Sequence, residues 1–109
     1  MKRTIEKIVA FAVQTADPEQ IILFGSMGRG TNNVHSDLDL LIVTRDDVGN
    51  KQISERVEQF AQDMALRADI LVYSRVLLKQ AVENPHSFLT AVWQDGKIVY
   101  QKSENSLAF

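Results

Sequence analysis

ILFGSMGRGTNNVHSDLDLLIV, residues 22–43, sets two apolar runs around a turn that holds three glycines, a serine, an arginine and two aspartates. The run that ends at Gly25, QIILF, is short, continuous and bounded by turn signals, and is expected to be a buried strand. Residues 37–43, DLDLLIV, are expected to form a second strand, polar on alternate positions at its start and apolar at its end. Asp37 and Asp39 lie two residues apart on that strand, so both project from one face while Leu38 turns to the other.

The rest of the chain supplies layers for these strands. Ile5, Ile8, Val9, Ala12 and Val13 recur at helical spacing, and Asp17-Pro18 should stop that helix because proline restricts the residue before it. Ile53, Val57, Phe60, Ala61 and Met64 predict a second helix over 52–66. ADILVYS, residues 68–74, reads as a third strand, followed by a helical stretch over 75–83. Asn84-Pro85 interrupts it, HSFLTAVWQ resumes as a helix that Asp95-Gly96 ends, and KIVYQ, 97–101, is a last short strand. Phe88, Leu89 and Trp93 recur near helical spacing and are expected to serve the core or a partner face rather than base stacking. Helices alternating with strands predict an α/β (α+β) fold, a small mixed sheet of about four strands flanked by helices. One domain over 1–109 is expected, with the tail from 102 to 109 loose or used in contacts; the strand order is not legible.

Composition narrows the function classes. Hydrophobic residues make up 45% and charged residues 24%, the balance of an ordinary globular domain. A net charge of −2 gives no basic excess of the kind that marks a nucleic-acid surface, so nucleic acid is not expected as a direct substrate. With no cysteine there is neither a disulfide framework nor a thiolate metal site, which fits a reducing compartment. No apolar run is long enough to span a bilayer, and Glu6, Lys7 and Gln14 break up any signal-peptide core. A cytoplasmic protein without a membrane partner is expected.

The turn after QIILF is suited to an anion. Backbone N–H groups at a strand-to-helix turn favour negative charge, Gly25 offers no Cβ to obstruct a phosphate, and Ser26 adds a hydroxyl. Its glycines run G-x-x-G-x-G, which is neither a Walker A loop nor the dinucleotide fingerprint, and they equally suit a plain structural turn. Asp37 and Asp39 repel unless a cation lies between them, and hard oxygen donors of this kind suit magnesium. The competing reading is a solvated strand start, where aspartate is common. Asp69 opens the third strand as Asp37 and Asp39 open the second. If the two strands are neighbours, three carboxylates meet at one sheet end, a set able to hold two magnesium ions for phosphoryl-type transfer. His35 and His86 are expected to be ordinary polar residues, Asp46 and Asp47 to lie in a loop, and Asp63 to lie among the solvated positions of its helix.

Gly25-Ser26, ten residues, then Asp37-Leu38-Asp39 matches the G-S-x10-D-x-D signature, and with it the chain resembles the DNA polymerase beta-like nucleotidyltransferase superfamily. Asp69 in ADILVYS and the DGKIVY ending extend the likeness to the minimal nucleotidyltransferases, from about Ile5 to Tyr100; Gly28 stands where alanine is more usual. The resemblance implies that Gly25 and Ser26 bind the triphosphate of a nucleotide. It implies that Asp37 and Asp39 hold two magnesium ions, and that Asp69 ligates the ion nearer the attacking group and helps take its proton. Ser36 is a further phosphate contact under this reading. Arg29 would pair with phosphate or with an acidic residue of a partner, its alternative being an exposed helix arginine.

The resemblance further implies transfer of a nucleoside monophosphate, AMP from ATP, to a hydroxyl. Larger relatives such as kanamycin nucleotidyltransferases add a helical region that forms the acceptor site, for which this sequence has no room. The acceptor is then expected on a second copy or on another protein, giving a homo- or hetero-oligomer. Many minimal nucleotidyltransferases, the MntA-type antitoxins, are paired with a HEPN ribonuclease toxin and transfer AMP to its tyrosine. Two alternatives stand beside that one: a binding module that neutralises a partner by covering it, and a homodimeric nucleotidyltransferase acting on an aminoglycoside-like small molecule.

Overall fold

The computed structural model describes residues 2–24, 38–47 and 49–103. Their elements are α1 (Lys2–Ala16), β1 (Gln20–Phe24), β2 (Leu38–Thr44), α2 (Asn50–Asp63), β3 (Ala68–Ser74), α3 (Arg75–Val82), α4 (Phe88–Asp95) and β4 (Lys97–Gln101). The strands form one mixed sheet in the order β3-β2-β1-β4, with β2–β3 parallel and the other two pairs antiparallel. The expected α/β sheet of about four strands is thus observed, and the order the sequence left open is fixed.

Two apolar layers hold the sheet. On one face Ile21 and Leu23 of β1, with Leu38, Leu40 and Ile42 of β2, pack against Ile8 and Ala12 of α1 and Val57 and Ala61 of α2. On the other, Ile22, Phe24, Leu41 and Val43 meet Leu78 of α3 and Leu89 and Val92 of α4. This two-sided cover explains why β1 and β2 read as unbroken apolar runs and are buried throughout. Phe11 and Phe60 stack at 4.3 Å between ring centroids and tie α1 to α2. A groove of about 860 Å³ runs between α1 and β4, lined by Ile5, Val9, Val13, Val99 and Tyr100 among others, and belongs to the α1 side of the sheet.

Helix ends follow local chemistry. α1 stops as expected at Asp17-Pro18: Asp17 turns to φ 45° and its N–H donates to the Val13 carbonyl. α2 ends at Asp63 rather than residue 66, although Met64 continues the apolar period. The reason is Ala65 at φ 61°, with Ala65 N–H donating to Gln62 O and Leu66 N–H to Ala61 O, the bonding of a left-handed terminating turn. Ser74 caps α3 and Ser87 caps α4, each accepting a backbone N–H on its hydroxyl. The second cap starts α4 at Phe88 instead of residue 86, which lies in the turn before it. At the other end of α4, a Cβ on Gly96 would overlap Ile22 Cγ2 and stand 2.5 Å from the Val92 carbonyl oxygen.

Two stability predictions follow from these ends. Ala65→Gly removes the steric cost of the left-handed conformation and is expected to raise the unfolding free energy by about 0.5–1 kcal/mol. Gly96→Ala forces α4 away from β1 and is expected to lower it by about 1–3 kcal/mol. Urea titration reads both as shifts in midpoint at unchanged slope.

Candidate active site

β1, β2 and β3 each place one residue in a row across the α3/α4 face of the sheet. Phe24, the last residue of β1, pairs with Asp39 of β2, and Asp39 pairs on its other side with Asp69 of β3. Strand alternation fixes the common face. Leu41 and Leu71 pack in the α3/α4 layer, and Asp39 and Asp69 stand two residues before them. Adjacent strands are about 4.8 Å apart, so the two carboxylates rise from neighbouring points and can share one cation. The ladder is extended past this row by Leu38 N–H donating to the Arg67 carbonyl at 3.1 Å.

The two acids have different surroundings. Asp39 is 1% exposed, on an inner strand between Phe24 and Asp69. Asp69 is exposed, on the edge strand β3. Like charges directly opposite on paired strands repel, and a cation between them would relieve that repulsion. Two carboxylates in this relation fit magnesium, which takes oxygen donors and commonly uses one or two carboxylates from the protein. Among the described residues no group of three or more His, Cys, Asp or Glu is placed to hold a metal ion. Asp37, the third acid of the expected set, lies outside the described residues, as do Gly25, Ser26, Arg29 and Ser36.

The other acids go elsewhere. Asp46 and Asp47 are exposed after the far end of β2, and Asp63 is exposed on α2, accepting a bond from Gln59 Nε2 at 2.9 Å. His86 is exposed in the turn before α4. Leu89 is buried and Trp93 packs beside the α3/α4 layer, as expected of a core face. Phe88 does not join that core. It is 64% exposed, and its ring meets Phe24 edge-on at 5.9 Å between centroids.

A mixed four-stranded sheet between two helical layers, with a pair of acids opposed at one end, is the architecture of a nucleotidyl-transfer domain of the polymerase beta kind. The family model "Polymerase beta, Nucleotidyltransferase" matches residues 6–105, and the chain belongs to that family. Solved structures share the fold. A candidate nucleotidyltransferase from Sulfolobus solfataricus is 20% identical with a TM-score of 0.54, covering 95% of this chain and 83% of its own. A mutant of the MntA-HpeT toxin–antitoxin is 20% identical with a TM-score of 0.60, covering 98% of this chain and 78% of its own. A toxin–antitoxin with AMP-PNP is also 20% identical with a TM-score of 0.54, covering 94% of this chain and 77% of its own. No curated protein matches the sequence. Among the described residues no helix is long and apolar enough to cross a membrane.

The opposed acids make a prediction that needs no substrate. In EDTA and low salt, Asp69→Asn is expected to stabilise the protein by about 0.2–1 kcal/mol through loss of the like-charge pairing, and the gain should shrink as salt screens it. Added magnesium should raise the melting temperature of the original protein and move that of the variant far less, measured by thermal unfolding across a magnesium series.

Proposed function

We propose that this chain transfers AMP from ATP to a hydroxyl on a protein partner, the tyrosine of a HEPN ribonuclease toxin, and thereby acts as that toxin's antitoxin. The observation that carries the reading is the register pair Asp39–Asp69 on one face of a domain of the nucleotidyltransferase family. Two of the structural neighbours, a toxin–antitoxin and a toxin–antitoxin with AMP-PNP, support the partner and the nucleotide.

In this reading the backbone N–H of Gly25 and the hydroxyl of Ser26 orient the triphosphate, with Ser36 and Arg29 as further phosphate contacts. Asp37 and Asp39 would hold two magnesium ions against the triphosphate, and Asp69 would ligate the ion nearer the attacking hydroxyl. When bound there, the ions would neutralise charge on the triphosphate and at the attacking oxygen. The acceptor hydroxyl oxygen forms a bond to the α-phosphorus, the bond from that phosphorus to the bridging oxygen breaks, and pyrophosphate leaves with the electron pair. Asp69 assists removal of the hydroxyl proton. Such a reaction depends on positioning and electrostatics more than on protein covalent chemistry, which suits a small domain.

Burial assigns the direction of approach. Asp39 is enclosed between Phe24 and Asp69, whereas Asp69 is exposed on an edge strand. A bulky acceptor therefore reaches the site from the β3 side, where nothing among the described strands stands beyond Asp69. A protein side chain can enter there as readily as a small molecule.

The test uses magnesium and α-labelled ATP with a purified HEPN partner. Label is expected on the partner's tyrosine, and Asp39→Asn or Asp69→Asn should lower its rate by at least about a hundredfold. Full neutralisation of the partner by the doubly substituted protein, with no label transferred, would instead establish neutralisation by binding alone.

A further inference from the structure

We infer that Phe88 is the stacking surface for the nucleobase of the donor nucleotide, an inference that rests on the nucleotidyl-transfer reading above. Phe88 touches Phe24, the residue that completes the row of Asp69 and Asp39, in a T-shaped ring contact at 5.9 Å between centroids. Phe24 is both the cross-strand neighbour of Asp39 and the ring contact of Phe88, so a single side chain intervenes between Phe88 and Asp39. A nucleotide bound through its phosphates at the acids is long enough to reach past one side chain to a neighbouring ring.

The helix start is fixed while the ring is left open. Ser87 caps α4 by accepting the Leu89 N–H at 3.2 Å, and its own N–H donates to the Asn84 carbonyl at 3.0 Å. Thr90 Oγ1 donates to the same carbonyl at 2.6 Å. Leu89 and Thr90 are 6% and 7% exposed, yet Phe88 between them and the cap is 64% exposed. An anchored backbone that presents a large aromatic to solvent, one side chain away from an enclosed carboxylate, is organised to receive a flat apolar ligand. The T-shaped contact with Phe24 limits how the Phe88 ring can turn.

The chemistry also sets the selectivity. Phenylalanine has no hydrogen-bonding group, so it adds affinity for any base and ranks bases only by stacking area, purines above pyrimidines. Discrimination between adenine and guanine does not come from this residue.

The experiment compares equilibrium binding of magnesium-ATP and magnesium-tripolyphosphate to the full chain by calorimetry. Phe88→Ala is expected to weaken ATP about tenfold and to leave tripolyphosphate within twofold. Phe88→Trp should restore ATP binding, and its fluorescence should be quenched by ATP but not by tripolyphosphate. Phe88→Leu, which keeps an apolar side chain and lacks a ring, should behave like the alanine variant. Unchanged ATP affinity in Phe88→Ala overturns the inference, as does recovery by leucine equal to that by tryptophan. Equal loss of both ligands assigns Phe88 a purely structural role and also overturns it. If the original protein binds neither ligand, the nucleotidyl-transfer reading itself fails and the stacking surface falls with it. Binding of both ligands with no effect of Phe88→Ala refutes the stacking surface alone.

Discussion

The parallel register of β2 and β3 is the constraint on which this molecule is organised. Leu38 opposite Ala68 obliges Asp39 to stand opposite Asp69 and both to share a face. A slip of one residue would turn either acid to the α1/α2 side and bury it among Ile8, Leu40 and Val57. The register is held by more than backbone bonds. Leu40, Leu41, Ile42 and Val43 are wholly buried, and each must find its own layer, so the apolar half of β2 fixes where its acidic end falls. Packing at one end of the strand positions charge at the other.

The site also depends on an imbalance between its strands. β1 and β2 are inner strands covered on both faces, while β3 is an edge. An acid on β2 is therefore enclosed by Phe24 and Asp69, and an acid on β3 meets solvent. One sheet end thus offers a shielded carboxylate and an accessible one side by side, a division of environments made by strand position alone. The α3–α4 connection completes the arrangement, since the bonds of Ser87 and Thr90 to the Asn84 carbonyl bring the start of α4 to the same end.

Much of this was legible in the sequence, for identifiable reasons. QIILF and KIVYQ read correctly as strands because their apolar runs are bounded by turn residues and are too short for helices. Asp39 and Asp69 could be singled out because each opens an apolar run, and a carboxylate there has no structural need to be met. Their meeting could not be read, because strand order depends on which long-range pairings bury the most surface, and no local pattern records that. The end of α2 was misplaced because Met64 keeps the apolar period, while the left-handed turn at Ala65 carries no glycine to announce it. Phe88 was assigned to a core or partner face because an aromatic near a helical stripe usually packs; only the structure separates it from Leu89 and Val92.

The position of β4 has a further consequence, for the order in which the molecule can be completed. β1 pairs with β4 through Ile21 and Tyr100, residues that lie far apart along the chain, and Gly96 sets α4 directly on Ile22 just before that strand. Until residues 88–101 have joined, β1 has one edge unsatisfied and its Phe24 lacks the ring of Phe88. Contacts of such wide sequence separation form slowly relative to local helices. A chain emerging from the ribosome would thus assemble α1, α2 and the β1–β2–β3 sheet first, with both acids already opposed, and gain its α4 wall last. The acid pair would be in place before the α4 side of the sheet end is closed.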